Sequence, residues 1–310
     1  EERRSRVEND PSSILGAQMM AAMYYSHPYG IPILGWEHEM RQLDRQIAID
    51  FNKRYYAPNN AILVVAGDVT PEEVKKLAGE TYGKIEPRTE RVRVPRPEEP
   101  PHRAPIRIDL EDPRAGRPTV QRYYHAPSTT TAETGEAEAL DLMMKILAEG
   151  STSRLYRKLA VEQKLAAAAG GWYAATGLDA GRVAVYAVAS DGVEIAKVEQ
   201  AMDAVIADLM ENGVTQKELD RARNAQIAGY IYTGDNQTRL ARRYGWGLVN
   251  GRTIKDIEEW PERLEKVTIE DVQRVAKKYF DLKQSVTGVL RPVKTDTAGD
   301  RKPGNSKRKS

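Results

Sequence analysis

"RYYAPNNAILVVAGDV" (54–69) and "KYFDLKQSVTGVLRPV" (278–293) share one layout: a basic residue, two aromatics, a four-residue turn and then an apolar run. The offset between them is constant at 224 residues (278 against 54). The helix ahead of each lines up as well, Phe51 with Val275, although Ile47 falls on Asp271. Two copies of a helix–turn–strand unit point to two related domains, and a repeat should be complete to bury its core. If the second unit begins near Pro105, its counterpart would begin roughly 120 residues ahead of Glu1. The chain is therefore expected to start inside a domain.

Outward from the repeat, residues 1 to about 25 read as helix, with Ile14, Leu15, Met19, Met20 and Met23 on a helical period and Pro11 at a break or a new first turn. "HPYGIPILG" (27–35) is a loop. Leu43, Ile47, Phe51 and Tyr55 trace an amphipathic helix, and "AILVVAGDV" (61–69) predicts a buried strand. Thr70, Pro71 and Glu73 form a capping box that opens a helix, with Val74, Leu77 and Tyr82 expected inward. "EPRTERVRVPRPEEPPHR" (86–103) is dense in proline and charge without a period, as an interdomain linker is.

Beyond the linker the pattern predicts strands near 106–110, 118–125, 181–190 and 284–292. Helices are expected at about 132–149, 192–212, 215–250 with a break at "TGDNQT" (233–238), and 268–280. Strands often fall in neighbouring pairs rather than alternating strictly with helices, so the class is α+β and not a doubly wound sheet.

Bulk composition excludes several functions. Lys+Arg 47 against Asp+Glu 45 gives +2, and the charges are interspersed, so no nucleic-acid footprint is present. The basic cluster at the extreme C-terminus, "RKPGNSKRKS", reads as a solvated tail. No apolar run approaches the ~18 to 20 residues that span a bilayer. Cysteine is absent, which removes disulfides, thiol nucleophiles and thiolate zinc ligands together. The four histidines, His27, His38, His102 and His125, cannot pair on one helical face by their spacing.

"EERRSRVENDP" (1–11), "HPYGIPILGWE" (27–37), "FNKRYYAPNNAILVVAGDVTPEEV" (51–74) and "GSTSRLYRKLAVEQKLA" (150–166) resemble the pitrilysin/insulinase family of zinc peptidases, most closely its two-domain bacterial members related to the mitochondrial processing peptidase. The resemblance covers about residues 1–293. It implies two related α/β-roll domains of the zinc-peptidase type, the first present only as its C-terminal part. The expected division is 1–85 for that part, 86–104 for the proline-rich linker, 105–293 for the second domain and 294–310 for the tail.

By the same resemblance, the active site uses an H-x-x-E-H motif on a first-domain helix, with a later Glu as third Zn2+ ligand. Two His and a carboxylate leave one tetrahedral position for water, and the motif Glu takes that water's proton as it attacks a peptide carbonyl. The motif is absent from this sequence. Glu2 falls on the third-ligand position, with Glu1 as the fallback; without the resemblance both would read as solvated carboxylates. In the family's C-terminal half an Arg and a Tyr hold substrate and stabilise the tetrahedral intermediate. Here those positions are Ala160 and Ala167, which offer neither a guanidinium nor a phenol.

Two functions follow as expectations. The first is the C-terminal portion of a zinc-dependent endopeptidase, inactive alone. It would act on peptides or unfolded proteins held against a sheet edge and require a related subunit to supply the Arg and Tyr. The alternative is a non-catalytic family member that serves as binding or scaffold subunit of a heterodimeric peptidase, and an upstream H-x-x-E-H separates the two. Location is unreadable, with a bacterial periplasm preferred.

Other features read as structural. His27 and His38, eleven apart in a loop-rich stretch, suit surface or packing roles. Tyr230, Tyr232, Tyr244 and Trp246 near a helix break are expected in the core. "GSTSR" (150–154) lacks the Lys-Ser/Thr ending of a phosphate loop and reads as a helix cap. No G-x-S-x-G elbow occurs.

Overall fold

The computed structural model describes residues 2, 4–88 and 96–293. Five strands form one mixed sheet: β1 (Ile106–Glu111), β2 (Thr119–Ala126), β3 (Ala166–Tyr173), β4 (Gly181–Ala189) and β5 (Ser285–Arg291), in the order β1-β5-β2-β4-β3. β1 runs parallel to β5, with Ile106 opposite Val286, and the other neighbours are antiparallel.

The helices in chain order are α1 (Pro11–Met23), α2 (Glu37–Met40), α3 (Arg45–Tyr55), α4 (Pro71–Glu80), α5 (Glu136–Leu147), α6 (Ile195–Asn212), α7 (Gln216–Gly234), α8 (Gln237–Val249), α9 (Ile254–Glu258), α10 (Trp260–Glu265) and α11 (Ile269–Tyr279). Local chemistry sets most of their starts. Asp10 accepts from the N–H groups of Ser12 and Ser13, so α1 starts afresh at Pro11 as the sequence requires. Capping boxes open α4 at Thr70/Glu73, α7 at Thr215/Glu218, α9 at Thr253/Asp256 and α11 at Thr268/Asp271. The break expected at 233–238 is the α7–α8 junction, where Asn236 caps α8. No helix among the described residues is long and apolar enough to cross a membrane.

Both faces of the sheet are covered. On one, Leu140, Met143 and Leu147 of α5, Val198 and Met202 of α6 and Val275 of α11 meet Val120, Val183 and Val185 in the main core. On the other, Leu15, Met19 and Met23 of α1 pack on Tyr123, Ala184, Val286 and Leu290. Gly288 permits that approach, because a Cβ there would stand 2.2 Å from Met19 Sδ.

The mixed helix–sheet architecture is α+β, as expected. β3 is an addition: "AAAAGGWY" carries alanines that favour helix and glycines that weaken strands, so nothing local announces it. Tertiary contact decides it. A Cβ on Gly171 would lie 2.3 Å from the Ala184 carbonyl, so only glycine allows this approach to β4.

The strand predicted at 61–69 does not form. These residues make no ladder among the described residues, and Ile62, Leu63, Val65 and Val69 are exposed. They run beside α8, with Val64, Val65 and Ala66 facing Ala241, Gly245 and Trp246 across a shallow cleft. A strand is defined by neighbours that complete its hydrogen bonds, and none lies alongside. For the same reason Leu77 and Tyr82, expected inward, are exposed. Tyr232 and Trp246, expected in the core, also lie open, whereas Tyr230 packs on Trp260.

Candidate functional site

Glu2 occupies a helical turn ahead of a π-turn at Arg4–Glu8. Its carboxylate is exposed, with Oε1 3.2 Å from Arg6 Nη2, and its carbonyl accepts from Ser5 Oγ at 3.0 Å. Glu1, the fallback ligand, lies outside the described residues. Arg114 ties the segment to the rest of the fold by donating to the Glu8 carbonyl at 2.7 Å. Asp112 fixes that guanidinium, which in turn holds the Asp112 carboxyl down to about 2.

The second half of the predicted site is a turn between two elements. Arg154 anchors it, with Nε and Nη2 each 2.8 Å from the Glu218 carboxylate and Nη2 3.0 Å from the Gly213 carbonyl. This pairing keeps Glu218 ionised down to about 2. A π-helical segment, Tyr156–Glu162, follows, with Leu159 in the core and Ala160 half-buried. Ser153 Oγ accepts from Tyr156 N–H, so "GSTSR" serves as the cap it reads as. The backbone reverses at Lys164, whose φ is +55°, and enters β3. There the register skips from Ala166 opposite Ala189 to Ala168 opposite Val188, which leaves exposed Ala167 at a bulge. A bulge re-aims the side chain it carries. In this chain that side chain is a methyl group.

Among the described residues no group of three or more His, Cys, Asp or Glu is arranged to hold a metal ion. One exposed carboxylate engaged by an arginine does not make a tetrahedral zinc site. The described residues therefore do not by themselves fit Zn2+.

His38 is exposed and His27 buried, in keeping with the surface and packing roles expected of them. What sequence reasoning missed is a convergence. His27, His102 and His125 meet around the last turn of α1, together with Tyr24 and Tyr29. Dozens of residues separate the three along the chain. No spacing signal could have joined them.

The family model described as the peptidase M16 inactive domain matches residues 42–226, more than half of the chain. An uncharacterised zinc protease of Mycobacterium leprae is 26% identical over 87% of this chain and 59% of its own length. The zinc protease PqqE of Helicobacter pylori is 25% identical over 94% of this chain and 65% of its own length. This chain thus spans about three-fifths of these relatives. A protease crystal structure from Helicobacter pylori superposes with a TM-score of 0.87 at 24% identity, covering 94% of this chain and 70% of that one, which shows the shared fold. The arginine-anchored turn and bulged strand lie within the matched span, and the chain belongs to the M16 peptidase family, whose inactive domain it carries.

Proposed function

We propose that this chain is the C-terminal portion of a zinc-dependent endopeptidase whose two histidine ligands and general base are encoded ahead of Glu1. One observation carries the reading. α3 and the turn Pro58–Asn60 match α11 and the turn Leu282–Gln284 boundary for boundary at the 224-residue offset, and residues 61–66 fall on β5 without forming a strand; only the second set is packed. A first unit with the same plan needs strands on either side of 61–66, and roughly 120 preceding residues would supply them. Glu2 would then be the third ligand, freed from Arg6.

With alanine at positions 160 and 167, the complementary Arg and Tyr would come from a second, related subunit. The substrate would be an extended peptide or unfolded protein, because a sheet edge recognises backbone before side chains. A periplasmic location accords with the reading.

The test is to express this chain with its upstream coding sequence through to a complete domain, then measure bound zinc and cleavage of an unstructured peptide. One zinc per chain, lost in Glu2→Gln, together with cleavage that rises on adding a related subunit, supports the proposal. A complete upstream domain that binds no zinc makes the protein a binding or scaffold subunit instead.

A further inference from the structure

Three of the four histidines lie under the C-terminal end of the linker, and their hydrogen bonds specify their protonation. His102 Nε2 is 3.0 Å and His125 Nε2 2.8 Å from one acceptor, the Met23 carbonyl that ends α1. A carbonyl only accepts, so each Nε2 carries a hydrogen. His27 Nδ1 accepts from the Tyr29 N–H at 3.1 Å, and its Nε2 stands 3.2 Å from Asp179 Oδ2. A second proton on His27 would therefore set N–H against N–H, and on His102 it would go to Nδ1, a buried atom with no partner. The His102 and His125 rings meet edge to face with centroids 5.1 Å apart, so charging both would place two cations side by side out of water.

The linker rests on this cluster. Glu99 accepts from three consecutive backbone N–H groups, Tyr25 at 2.6 Å, Ser26 at 3.1 Å and His27 at 2.9 Å. Arg96 pairs with Asp179 in the turn before β4. His102 exchanges backbone hydrogen bonds with the Gln284 side chain, at 3.0 and 2.7 Å.

We propose that His27, His102 and His125 form an acid-sensitive clasp that holds linker residues 96–102 against the end of α1 and the sheet only while all three rings are neutral. The groups facing the cluster do not cancel this. From the linker come Glu99, already saturated by three N–H donors, and the cation Arg96. From the turn before β4 comes Asp179, engaged by Arg96, and from β4 comes Arg182, the cross-strand partner of His125. The other neighbours are Tyr24, Tyr25 and Tyr29, from the end of α1 and the loop after it, and Gln284 beside β5. Burial pushes the His125 imidazolium below its ordinary value, His102 pushes the same way, and the Met23 carbonyl and Glu99 push back. Glu99 and Asp179 are themselves held below the usual carboxylate range, by the backbone N–H groups and by Arg96 respectively, so they keep their charge as the solution is acidified towards pH 5.

The sign follows. Above about pH 6.5 an ordinary imidazole is neutral, so the open form gains nothing there. Below it the open form takes up protons that the closed form resists, so closure weakens as pH falls.

Hydrogen exchange on the whole chain tests this through the amides of Tyr25, Ser26 and His27, with rates corrected for intrinsic pH dependence. Their protection should fall about tenfold or more from pH 7.5 to 5.0, one pKa unit of linkage being a factor of ten. The amides of β4 and β5 should not change. In the double variant His102→Gln and His125→Gln, an amide N–H can replace each Nε2–H without titrating, and protection should become independent of pH. Equal protection in the unaltered chain at both pH values overturns the proposal, as does a pH effect that survives in the double variant. Should the variant fail to fold, ring titration of the unaltered chain decides: a His125 midpoint at or above about 6.5 overturns it, and one below supports it.

Discussion

Residues 44–60 and 268–284 run through the same cap, helix and 3-10 turn at the same boundaries, and the two copies end in opposite environments. Asp44 caps α3 through the Ile47 N–H, and Thr268 caps α11 through the Asp271 N–H. Each helix lasts eleven residues and is followed by a single 3-10 turn. Then they part. Phe51 is 56% exposed where Val275 is 0%, Ile62 is 50% where Val286 is 0%, and Val65 is 49% where Val289 is 0%. α11 lies on α5 and α6, and β5 lies between β1 and β2, whereas α3 and residues 61–66 have no such neighbours among the described residues. The helix, the cap and the turn are local products; burial is not.

The sharpest way to break this comparison is to place a charge at matched positions. Val275→Asp should cost more than about 4 kcal/mol and prevent cooperative folding, because an unpaired carboxylate would enter the main core. Phe51→Asp in this chain should change stability by no more than about 0.5 kcal/mol. Urea denaturation of both variants decides. A large loss for Phe51→Asp would mean that the face of α3 is covered in solution.

A pH experiment sharpens the folded side. Asp141 of α5 accepts from Trp260 Nε1 at 3.4 Å beside Glu138 and Glu149, and burial pushes its carboxyl up to about 7. A folded pKa above the unfolded value near 4 means stability that is complete below pH 4 and lost as pH rises through 7. Asp141→Asn should therefore match the unaltered protein near pH 4 and exceed it by about 2–4 kcal/mol above pH 7. Thermal unfolding across that range reads the difference, and a constant gap between the two proteins would refute it.

Smaller effects come from trimming and filling. Val289→Ala should cost about 2 kcal/mol and Val65→Ala less than about 0.5. Gly288→Ala should cost about 1–3 kcal/mol as Met19 is displaced. Its counterpart in the first copy is already a side chain, Val64. Smallest are the caps: Thr268→Ala should lower global stability by about 1 kcal/mol, while Asp44→Ala should fray α3 and leave the unfolding midpoint where it was. Circular dichroism with chemical denaturation separates local fraying from global loss.

Much of the fold was legible. The Thr70 cap and the α7–α8 break stand in short windows of sequence. β3 was not legible, since its alanines and glycines favour nothing by themselves and are required only by the closeness of β4. Glu2, Ala160 and Ala167 were picked out by resemblance. The structure gives Ala160 and Ala167 a setting, an anchored turn and a bulge, and leaves Glu2 an exposed carboxylate. The histidine cluster was illegible for a plain reason: tertiary contacts at the end of α1, not a spacing, bring its members together.

By itself the sequence determined where most helices begin, because caps and first-turn prolines act within four residues of their partners. Tertiary structure decided which apolar runs became core. A strand's hydrogen bonds and a helix face's burial are supplied by residues distant in the chain, so similar local signals at 44–66 and 268–290 yielded an open flank in one place and a packed sheet in the other.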